Sequence, residues 1–485
     1  MRQPSAIMAV LFVGFTAAAA QTAFQVNSFT TGAQRMPAIA MAPDGRFIVV
    51  WAGAAQNGSG TDIFARLFDP PADPAGLPTP LGAEFQVNTY AASSQLLPRV
   101  AVDGSGGFVV VWRSVGQDGD RGGIFGRRFD SAGLPAGGEF AVNSTTVGDQ
   151  LYPDVAADGA GNFVVVWQSK DSASTFSPVD ILLRRFDSTA APLAPESVLS
   201  TETRASLIVE VSPTVAMNGR DDFVVVWSRP TGKGVYPRLY GRRFNPSGDP
   251  AGGEFSVAPG SNYVFDYQPR AGMDESGGFV VVWGRGFDFG LYFGAYARRF
   301  NPDATPRADA FPVNNFSFLI DGPDVAMSAD GSFALTWPEL SSPRAQRFDS
   351  AGVPAGAPVV VTSSRYYGPA VAMDATGSFT VVWPGSDGDQ TGVLARRFPG
   401  SCTGPVTDLR VEPANGGADL LLTWTDAVRA EDHVIVEDTV PNGAFSTQTG
   451  TAVSGATGLT VPTPPGTTFY LVAGRTRSCG LGPLR

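Results

Sequence analysis

An apolar run that ends in tryptophan recurs seven times along this chain, and it limits the folds that the sequence can adopt. Successive tryptophans of the set are 46 to 61 residues apart. Repeats of this length are typical of supersecondary units that stack into rings or solenoids. The runs are FIVVW (47–51), FVVVW (108–112, 163–167, 223–227 and 279–283), FALTW (333–337) and FTVVW (379–383).

Each repeat carries four short pieces in the same order. A P-x-(V/I)-A segment, as at 98–101, is followed by an Asp-x-x-Gly turn, the tryptophan run, an R-R-F segment and finally E-F-x-V. The pieces are rich in β-branched and aromatic residues and are separated by turn residues, which predicts four strands per repeat. Because the tryptophan run is apolar on both strand faces, it must be covered on both sides. Four-stranded units repeated about a channel form a β-propeller.

The two ends of the repeat array predict that the ring closes on itself. The chain begins with a lone fourth strand, FQVN at 24–27, and it leaves the seventh repeat at 398 without an E-F-x-V segment. The first strand can therefore complete the last blade and remove an exposed sheet edge. We predict an all-β fold, a seven-bladed β-propeller over residues 21–400 whose N-terminal strand closes the last blade. A β-solenoid is the alternative, although it needs no such strand and its repeats are usually shorter.

The repeat resembles the units of secreted bacterial β-propeller proteins of the type P-x-V-A…G-x-F-V-V-V-W…R-R-F-D, over about residues 24–398. This resemblance implies a fold and leaves the activity open, since propellers host many unrelated functions.

The segment 401–485 lacks the repeat and resembles a fibronectin type III domain. The resemblance rests on VTDLRV at 406–411, LLLTW at 420–424 and TTFYLV at 467–472. It implies a β-sandwich with Trp424 in the core and Tyr470 near a sheet corner. Cys402 and Cys479 flank this module, and we predict a disulfide between them, with two free thiols as the alternative. Such a bridge would contribute roughly 4 kcal/mol by restricting the unfolded chain.

Residues 1–20 have the three parts of a secretory signal peptide. Arg2 is followed by an apolar stretch at 6–15 and by a small-residue cleavage site that ends at Ala20. A buried N-terminal strand or helix is the alternative. No later segment is long and apolar enough to suggest a membrane span. We therefore expect an exported protein that is secreted, periplasmic or attached to the cell surface, and monomeric.

Charge and composition exclude several kinds of function. The chain has 34 basic and 45 acidic residues, a formal charge of −11, which argues against nucleic acid as a partner. With His433 as the single histidine and two cysteines, most histidine- or cysteine-dependent catalysis and most transition-metal sites are excluded.

We predict no cofactor, with calcium as a weak candidate. Calcium takes about six to eight oxygen ligands, and two similar loops could supply a few. Solvated turns are the alternative interpretation of these loops. The weak candidate ligands are Asp118, Asp120, Asp387 and Asp389.

The links after each tryptophan and before each P-x-V-A segment vary in length and composition, and propeller geometry places both on one face. Variable loops on a rigid scaffold are where function is usually placed. Aromatic residues with nearby carboxylates in the loops of the fourth to sixth repeats suit sugar or peptide ligands. The alternative is that these rings close the core between blades. The candidate ligand-binding residues are Tyr236, Tyr240, Tyr263, Phe265, Asp266, Tyr267, Phe287, Asp288 and Tyr292.

The paired arginines of the R-R-F segment recur in most repeats, which indicates a structural role. Adjacent residues of a strand point to opposite faces, so the two guanidinium groups can reach turn carboxylates or loop carbonyls. A ring of arginines that gathers an anionic ligand is the alternative.

We therefore predict a binding or adhesion protein that engages an extracellular glycan or protein through the variable-loop face, and we assign no catalytic residue. A carboxylate-dependent glycoside hydrolase or another propeller hydrolase is the first alternative. A structural protein of the envelope or matrix is the second.

Overall fold

The computed structural model describes most of the repeat region and the backbone strands of the C-terminal segment. Every regular element within these residues is a β-strand, as the sequence predicts. No helix in them is long and apolar enough to cross a membrane. The described residues are 22–54, 60–72, 76–170, 179–202, 212–231, 236–258, 264–287, 292–314, 322–339, 342–362, 368–400, 407–414, 419–425, 432–438, 447–453, 458–462 and 469–475.

The first three repeats, with the strand that precedes them, are β1 (Phe24–Gln25), β2 (Gln34–Met41), β3 (Phe47–Ala54), β4 (Thr61–Asp69), β5 (Thr79–Pro80), β6 (Phe85–Gln86), β7 (Gln95–Val102), β8 (Phe108–Val115), β9 (Gly122–Phe129), β10 (Phe140–Ala141), β11 (Asp149–Ala157), β12 (Phe163–Lys170), β13 (Val179–Phe186) and β14 (Ser197–Glu202). The remaining repeats are β15 (Thr214–Met217), β16 (Phe223–Thr231), β17 (Tyr236–Phe244), β18 (Phe255–Ser256), β19 (Val264–Met273), β20 (Phe279–Phe287), β21 (Tyr292–Phe300), β22 (Phe311–Pro312), β23 (Asp324–Met327), β24 (Phe333–Trp337), β25 (Arg344–Phe348), β26 (Val359–Val360), β27 (Ala370–Met373), β28 (Phe379–Gly385) and β29 (Gly392–Phe398).

Each repeat forms an antiparallel sheet in which the strands pair in chain order. The order β15-β16-β17-β18 is representative, and β19-β20-β21-β22 and β23-β24-β25-β26 repeat it. The second and third repeats share one sheet because Asp149 of β11 aligns in parallel with Gly122 of β9. The four strands predicted for each repeat are thus confirmed, and the R-R-F segments end the third strands.

The N-terminal strand joins the last repeat, as the incomplete array predicts. In the sheet β1-β29-β28-β27, Phe24 lies opposite Ala395 and Gln25 lies opposite Leu394. The pairing continues past the strand, since the backbone N–H of Val26 donates to the carbonyl of Val393 at 2.8 Å.

The first strands of the repeats line a common axis. Their contacts run in a closed order, from β2 to β7, β11, β15, β19, β23, β27 and back to β2. This is the arrangement of a β-propeller. We call the end of the channel where the first strands begin the loop end, and the end near the Asp-x-x-Gly turns the turn end.

The hydrophobic core lies between neighbouring sheets. One cluster, for example, joins Val50 and Ala65 of the first repeat to Val110 and Trp112 of the second. Full burial of a valine or phenylalanine side chain stabilises the fold by about 1.5–3 kcal/mol. The tryptophans of the seven runs are at most 1% exposed, so the runs are covered on both faces.

The first arginine of an R-R-F segment ties its repeat to the preceding one. Arg127 Nη1 donates to the carbonyl of Val87 at 3.0 Å, and Val87 follows the fourth strand of the first repeat. The same bond recurs for Arg66 with Val26, Arg184 with Val142, Arg298 with Val257 and Arg396 with Val361.

The second arginine reaches a turn carboxylate. Arg128 pairs with Asp103 at 3.1 Å, and Arg397 pairs with Asp374 at 3.3 Å. The predicted structural role of the arginine pairs is confirmed.

The C-terminal strands belong to a second compact unit. They are β30 (Thr407–Ala414), β31 (Asp419–Thr425), β32 (Asp432–Asp438), β33 (Thr447–Val453), β34 (Gly458–Pro462) and β35 (Phe469–Arg475). They form two three-stranded antiparallel sheets, β30-β31-β34 and β33-β32-β35. Trp424 lies on β31 and Tyr470 on β35, whereas Cys402 and Cys479 lie outside the described residues.

Candidate functional site

Asp266, one of the predicted ligand residues, is fully buried near the start of β19. Its Oδ1 accepts hydrogen bonds from Trp283 Nε1 at 2.9 Å and from Arg285 Nε at 2.7 Å. Its Oδ2 accepts from Arg285 Nη2 at 3.1 Å. Burial raises the pKa of this carboxyl group, and the bonds from Arg285 act in the opposite direction. Since the carboxylate has no accessible surface, its place is in the internal framework and not on an open ligand surface.

The position of Asp266 belongs to a repeating pattern that the sequence analysis missed. Gln95 lies 17 residues before Trp112, as Asp266 lies before Trp283, and its Oε1 accepts from Trp112 Nε1 at 3.1 Å. Gln34 and Gln150 occupy the same place in their repeats and are also fully buried. A polar residue at a fixed distance before the tryptophan was the available signal.

Tyr240 packs against a charged side chain and the core. The guanidinium carbon of Arg229 lies 3.6 Å from the centre of the Tyr240 ring, and Arg229 pairs with Glu254 at 2.7 Å. The ring also contacts the apolar cluster around Trp227. This is the alternative that the sequence left open, in which the rings close the core.

Phe265 and Tyr267 cover glycines of the neighbouring strand. Phe265 lies opposite Gly286 and Tyr267 lies opposite Gly284 in the β19–β20 pair. A methyl group on either glycine would lie within 2.5 Å of the facing ring. Both rings remain partly exposed.

The side chains of the other candidate ligand-binding residues lie outside the described part of the structure. Tyr236, Phe287 and Tyr292 lie on β17, β20 and β21, where the structure gives the backbone alone. Tyr263 and Asp288 lie outside the described residues.

The four aspartates that were weak calcium candidates accept hydrogen bonds from protein groups. Asp118 accepts from Asn143 Nδ2 at 3.2 Å, and Asp120 accepts from the Gly148 N–H at 2.8 Å. In the seventh repeat, Asp387 accepts from Asn27 Nδ2 and Asp389 from the Gly32 N–H, both at 3.3 Å. Within the described ranges, no group of three or more His, Cys, Asp or Glu residues is arranged to hold a metal ion.

A charged set that the sequence analysis did not single out lines the channel. The residue after proline in each P-x-V-A segment lies at the same level of the first strand, since these segments share one register with the tryptophan strands. In the sequence, this position varies more between repeats than the other positions of the motif, although the fifth repeat reads P-R-A-G at 269–272. The seven residues are Ala38, Arg99, Asp154, Thr214, Arg270, Asp324 and Ala370.

One ion pair of this set joins the second and third repeats. Arg99 Nε lies 3.8 Å from Asp154 Oδ1, and Arg99 Nη1 donates to the carbonyl of Pro98 at 2.9 Å. Asp154 Oδ2 accepts from Thr214 Oγ1 at 2.7 Å and from the Val215 N–H at 3.1 Å.

The second ion pair joins the fifth and sixth repeats with the same geometry. Arg270 Nε lies 3.9 Å from Asp324 Oδ1, and Arg270 Nη1 donates to the carbonyl of Pro269 at 3.1 Å. Asp324 Oδ2 accepts from the Val371 N–H at 2.9 Å. The two pairs stand three repeats apart, on different sides of the channel.

The four charged side chains share one electrostatic environment. They are 14–26% exposed, so they touch solvent although protein surrounds them. Burial lowers the pKa of Arg99 to about 10, and the positive charge of Arg270 acts in the same direction. Burial raises the pKa of Asp324, against the opposing charges of Arg270 and Arg99. The channel therefore offers cationic donors beside carboxylate acceptors.

Residues with unusual backbone conformations lie two positions before this set on the first strands, towards the loop end. Met36, Leu97, Tyr152 and Gln268 have φ between 46° and 55°, and each directly precedes the proline of its P-x-V-A segment. The strand register shifts at each of these places. Non-glycine residues with positive φ cost of order 1–3 kcal/mol and cluster at functional sites. Met36 is 42% exposed, and the other three are partly exposed.

Neighbouring repeats approach each other closely at the turn end. The Gly104 N–H donates to the Gly159 carbonyl at 3.2 Å, and a methyl group on Gly104 would lie 2.7 Å from that oxygen. The Ala375 N–H likewise donates to the Pro43 carbonyl at 3.4 Å. These contacts hold the turns of neighbouring repeats together at this end.

Neither a protein-family model nor a curated protein sequence matches this chain. Among solved structures, it is similar to an α-L-arabinofuranosidase from Fusarium graminearum, with 12% identity and a TM-score of 0.45, over 68% of this chain and 96% of the enzyme. An α-L-arabinanase from Penicillium chrysogenum gives 14% identity and a TM-score of 0.45 over the same shares of the two chains. A protein of unknown function from Dyadobacter fermentans gives 9% identity and a TM-score of 0.43, over 77% of this chain and 97% of that one.

Proposed function

We propose that this chain is an exported, monomeric binding protein that holds an extracellular glycan at the loop end of its propeller channel. The observation that carries the proposal is the charged set Arg99, Asp154, Arg270 and Asp324 at one level of the channel. In this proposal the ligand site lies at the channel, and the aromatic residues of the fourth and fifth repeats lie outside it. The sequence predicts a glycan or a protein as the ligand, and a protein bound on the same face is a variant of this proposal.

The proposal also concerns the domain organisation. It comprises a signal peptide at 1–20, a seven-bladed propeller at 21–400 and a fibronectin type III-like sandwich at 401–485, with a Cys402–Cys479 disulfide. The closed order of contacts between first strands and the pairing of β1 with β29 support the seven blades. The two antiparallel sheets β30-β31-β34 and β33-β32-β35 support the sandwich.

The chemistry of the channel suits sugar hydroxyl groups. A hydroxyl both donates and accepts hydrogen bonds, so an arginine beside an aspartate can engage two neighbouring hydroxyls of one sugar. Above them, Met36, Leu97 and Tyr152 offer partly exposed apolar surface from three consecutive repeats. Ligand sites commonly combine such apolar walls with a few polar groups that fix orientation.

A glycan array probed with the mature protein tests this function. We expect binding to a defined set of glycans, followed by a loss of about tenfold or more in affinity for Asp154→Asn, because a charged hydrogen-bond partner of the site is removed. Asp103→Asn, which alters a turn aspartate at the other end of the first strand, is the matched control. Array binding by neither wild type nor control, with both folded, would exclude the glycan function.

A carboxylate-dependent glycoside hydrolase is the second candidate, and one observation favours it. Asp154 and Asp324 face the same channel, and burial raises the pKa of Asp324, which is the direction that a general acid needs. Asp324 Oδ2, however, already accepts a hydrogen bond from the Val371 N–H, which stabilises its ionised form. Release of reducing sugar from arabinan, xylan or pectin that disappears in Asp324→Asn would establish this candidate in place of simple binding.

A further inference from the structure

Met36, Leu97 and Tyr152, which we call the rim, lie at the loop end of three consecutive repeats. We infer that three glutamates position this rim, and that their protonation releases it and weakens ligand binding. The glutamates are Glu84, Glu139 and Glu196, and each directly precedes the fourth strand of its repeat. The ligand half of this inference rests on the proposed function, whereas the positioning role stands on the contacts alone.

Glu139 of the second repeat holds the link that follows the fourth strand of the first repeat. Its Oε1 accepts hydrogen bonds from the N–H and, at 2.8 Å, the hydroxyl of Thr89, and from the Tyr90 N–H at 3.2 Å. Its Oε2 accepts from Gln117 Nε2 at 2.8 Å. Hydrogen bonds to an ionised acceptor are about twice as strong as bonds between neutral groups. One carboxylate therefore fixes two successive backbone N–H groups of the neighbouring repeat.

The same contact recurs at the seams on either side. Glu84 of the first repeat holds the N-terminal segment that closes the ring, and Glu196 of the third repeat holds the link that leaves the second. The bonds are those from the Ser28 and Phe29 N–H groups to Glu84 at 2.6 and 3.2 Å, and those from the Ser144 and Thr145 N–H groups to Glu196 at 2.7 and 3.1 Å.

An arginine on the neighbouring strand holds the same segment from its other side. The strand register places Arg127 opposite Glu139. Arg127 donates to the carbonyl of Val87, two residues before Thr89. The corresponding bonds of the other two repeats are those from Arg66 to Val26 and from Arg184 to Val142. Because each segment is held at a carbonyl and at two N–H groups, its direction and position are fixed.

The segments held in this way lead directly into the rim. Each rim residue follows the first N–H donor of its segment by eight positions, as Leu97 follows Thr89. The rim residues have φ between 49° and 55°, a conformation that persists only where the surrounding structure enforces it. The glutamate contacts are part of that enforcement, since they anchor the chain just before it enters the first strand.

The charge of the glutamates makes this anchoring sensitive to acid. Burial opposes ionisation of Glu139 and Glu196, but hydrogen bonds from the held segments outweigh it and lower both pKa values below the usual 4.5. A carboxyl group with a lowered pKa in the folded state contributes stability above its unfolded pKa and loses it as the pH falls through the folded pKa. The contacts should therefore hold at neutral pH and weaken below about pH 4.5.

Other titratable groups face the same segments. Arginines lie opposite the glutamates and keep their charge in acid. Aspartates accept hydrogen bonds from side chains or backbone N–H groups of the held segments, and they take up protons in the same pH range. These aspartates are Asp62, Asp118, Asp120, Asp387 and Asp389. A change of pH alone thus acts on both sets, and glutamine substitution separates the glutamates from the aspartates.

Hydrogen exchange followed by mass spectrometry, without any ligand, tests the positioning role. Glu139→Gln at pH 7 should raise exchange about tenfold in the segment 89–97, because the bonds to an ionised acceptor are lost. The segments 28–36 and 144–152 should keep their wild-type rates. In the wild type, all three segments should lose protection, relative to unstructured peptides at each pH, as the pH falls from 7 to about 3.5.

Glu254→Gln is the matched control. Glu254 has the same place before the fourth strand of the fourth repeat, but its carboxylate pairs with Arg229 at 2.7 Å. This substitution should leave exchange in the three segments unchanged. Glu139→Asp keeps the charge on a shorter side chain and should retain part of the protection. Wild-type exchange of 89–97 in Glu139→Gln would overturn the positioning role.

Calorimetric titration tests the control of ligand binding. The probes are oligosaccharides of arabinan, linear xylan and galactan, which are neutral and do not titrate themselves. We expect the wild type to lose about tenfold in affinity between pH 7 and about pH 3.5. The combined variant Glu84→Gln, Glu139→Gln and Glu196→Gln should bind weakly at pH 7 and show a smaller further loss. The single variants should show the same trend, should the combined variant fold poorly.

The outcomes separate this inference from the proposed function. Released segments together with a sugar affinity that does not depend on pH would overturn acid control and leave the positioning role intact. Equal pH dependence of the wild type and the glutamine variants would assign the effect to the aspartates and overturn acid control by the glutamates. Folded wild type that binds none of the sugars at pH 7 would overturn the ligand half, while hydrogen exchange decides the positioning role separately.

Discussion

The indole N–H of Trp283 donates to the fully buried carboxylate of Asp266 at 2.9 Å, where the second repeat uses the amide oxygen of Gln95 for Trp112. The fifth repeat thus replaces a neutral acceptor by a charged one and adds Arg285 as its counterion. Arg285 also lies over the Tyr296 ring, with its guanidinium carbon 4.8 Å from the ring centre. A residue that resembles a ligand contact in the sequence is therefore the centre of an internal ion pair.

Removing this carboxylate should destabilise the protein without changing ligand affinity. Asp266→Ala removes the carboxylate that faces the buried charge of Arg285, and breaking a buried pair in this way typically costs about 3–5 kcal/mol. Chemical denaturation followed by tryptophan fluorescence measures the loss. Asp266→Gln with Arg285→Leu restores the neutral arrangement of the second repeat and should recover most of the stability. Full stability of Asp266→Ala would show that the pair contributes little.

Glu139 should make the protein sensitive to acid. Burial opposes the ionised form, but hydrogen bonds from Thr89, Gln117 and Tyr90 outweigh it and lower the pKa below the usual 4.5. An acid with a depressed pKa in the folded state stabilises that state above its unfolded pKa, and this contribution is lost as the pH falls through the folded pKa. As the pH is lowered from 7, the free energy of unfolding should therefore stay level at first and then decrease below about pH 4.5. Glu139→Gln should be less stable at neutral pH and show a shallower fall, and an unchanged slope would contradict the assignment.

The propeller fold could be predicted from the repeats because the tryptophan runs, the turn residues between them and the incomplete last repeat all indicated a closed ring. The tryptophan runs required cover on both faces, and the lone strand at Phe24 lacked a partner except in the last repeat. The site was harder to predict, because aromatic residues suit a ligand surface and a core equally well. Tyr240 stacks on Arg229 and Phe265 covers Gly286, neither of which is visible without the strand register. Arg99 and Arg270 are far apart in sequence, and only the closed ring places them around one channel.

Replacing an arginine that joins two repeats by lysine should lower the free energy of unfolding. Arg127 donates through Nη1 to the Val87 carbonyl at 3.0 Å and through Nε to the Gly137 carbonyl at 3.2 Å. Lysine offers a single ammonium group and cannot reproduce this fork, so Arg127→Lys should lose about 1–2 kcal/mol of unfolding free energy. Arg121→Lys, at an exposed position, should stay within about 0.5 kcal/mol of wild type. Equal effects of the two substitutions in thermal unfolding would rule out the tie.

Asn27 should control whether the ring stays closed. Its Oδ1 accepts from the buried Val393 N–H at 2.7 Å, so Asn27→Ala leaves that donor unsatisfied at a cost of about 1–3 kcal/mol. Asn88 makes the same 2.7 Å bond to the Ile63 N–H inside the array, and Asn88→Ala is the matched control. Both variants should lose similar global stability. Only Asn27→Ala should speed hydrogen exchange in β29, because its strand is joined to β29 by pairing across the closure rather than by a continuous chain. Equally protected β29 amides in the two variants would show that the N-terminal strand does not limit opening of the ring.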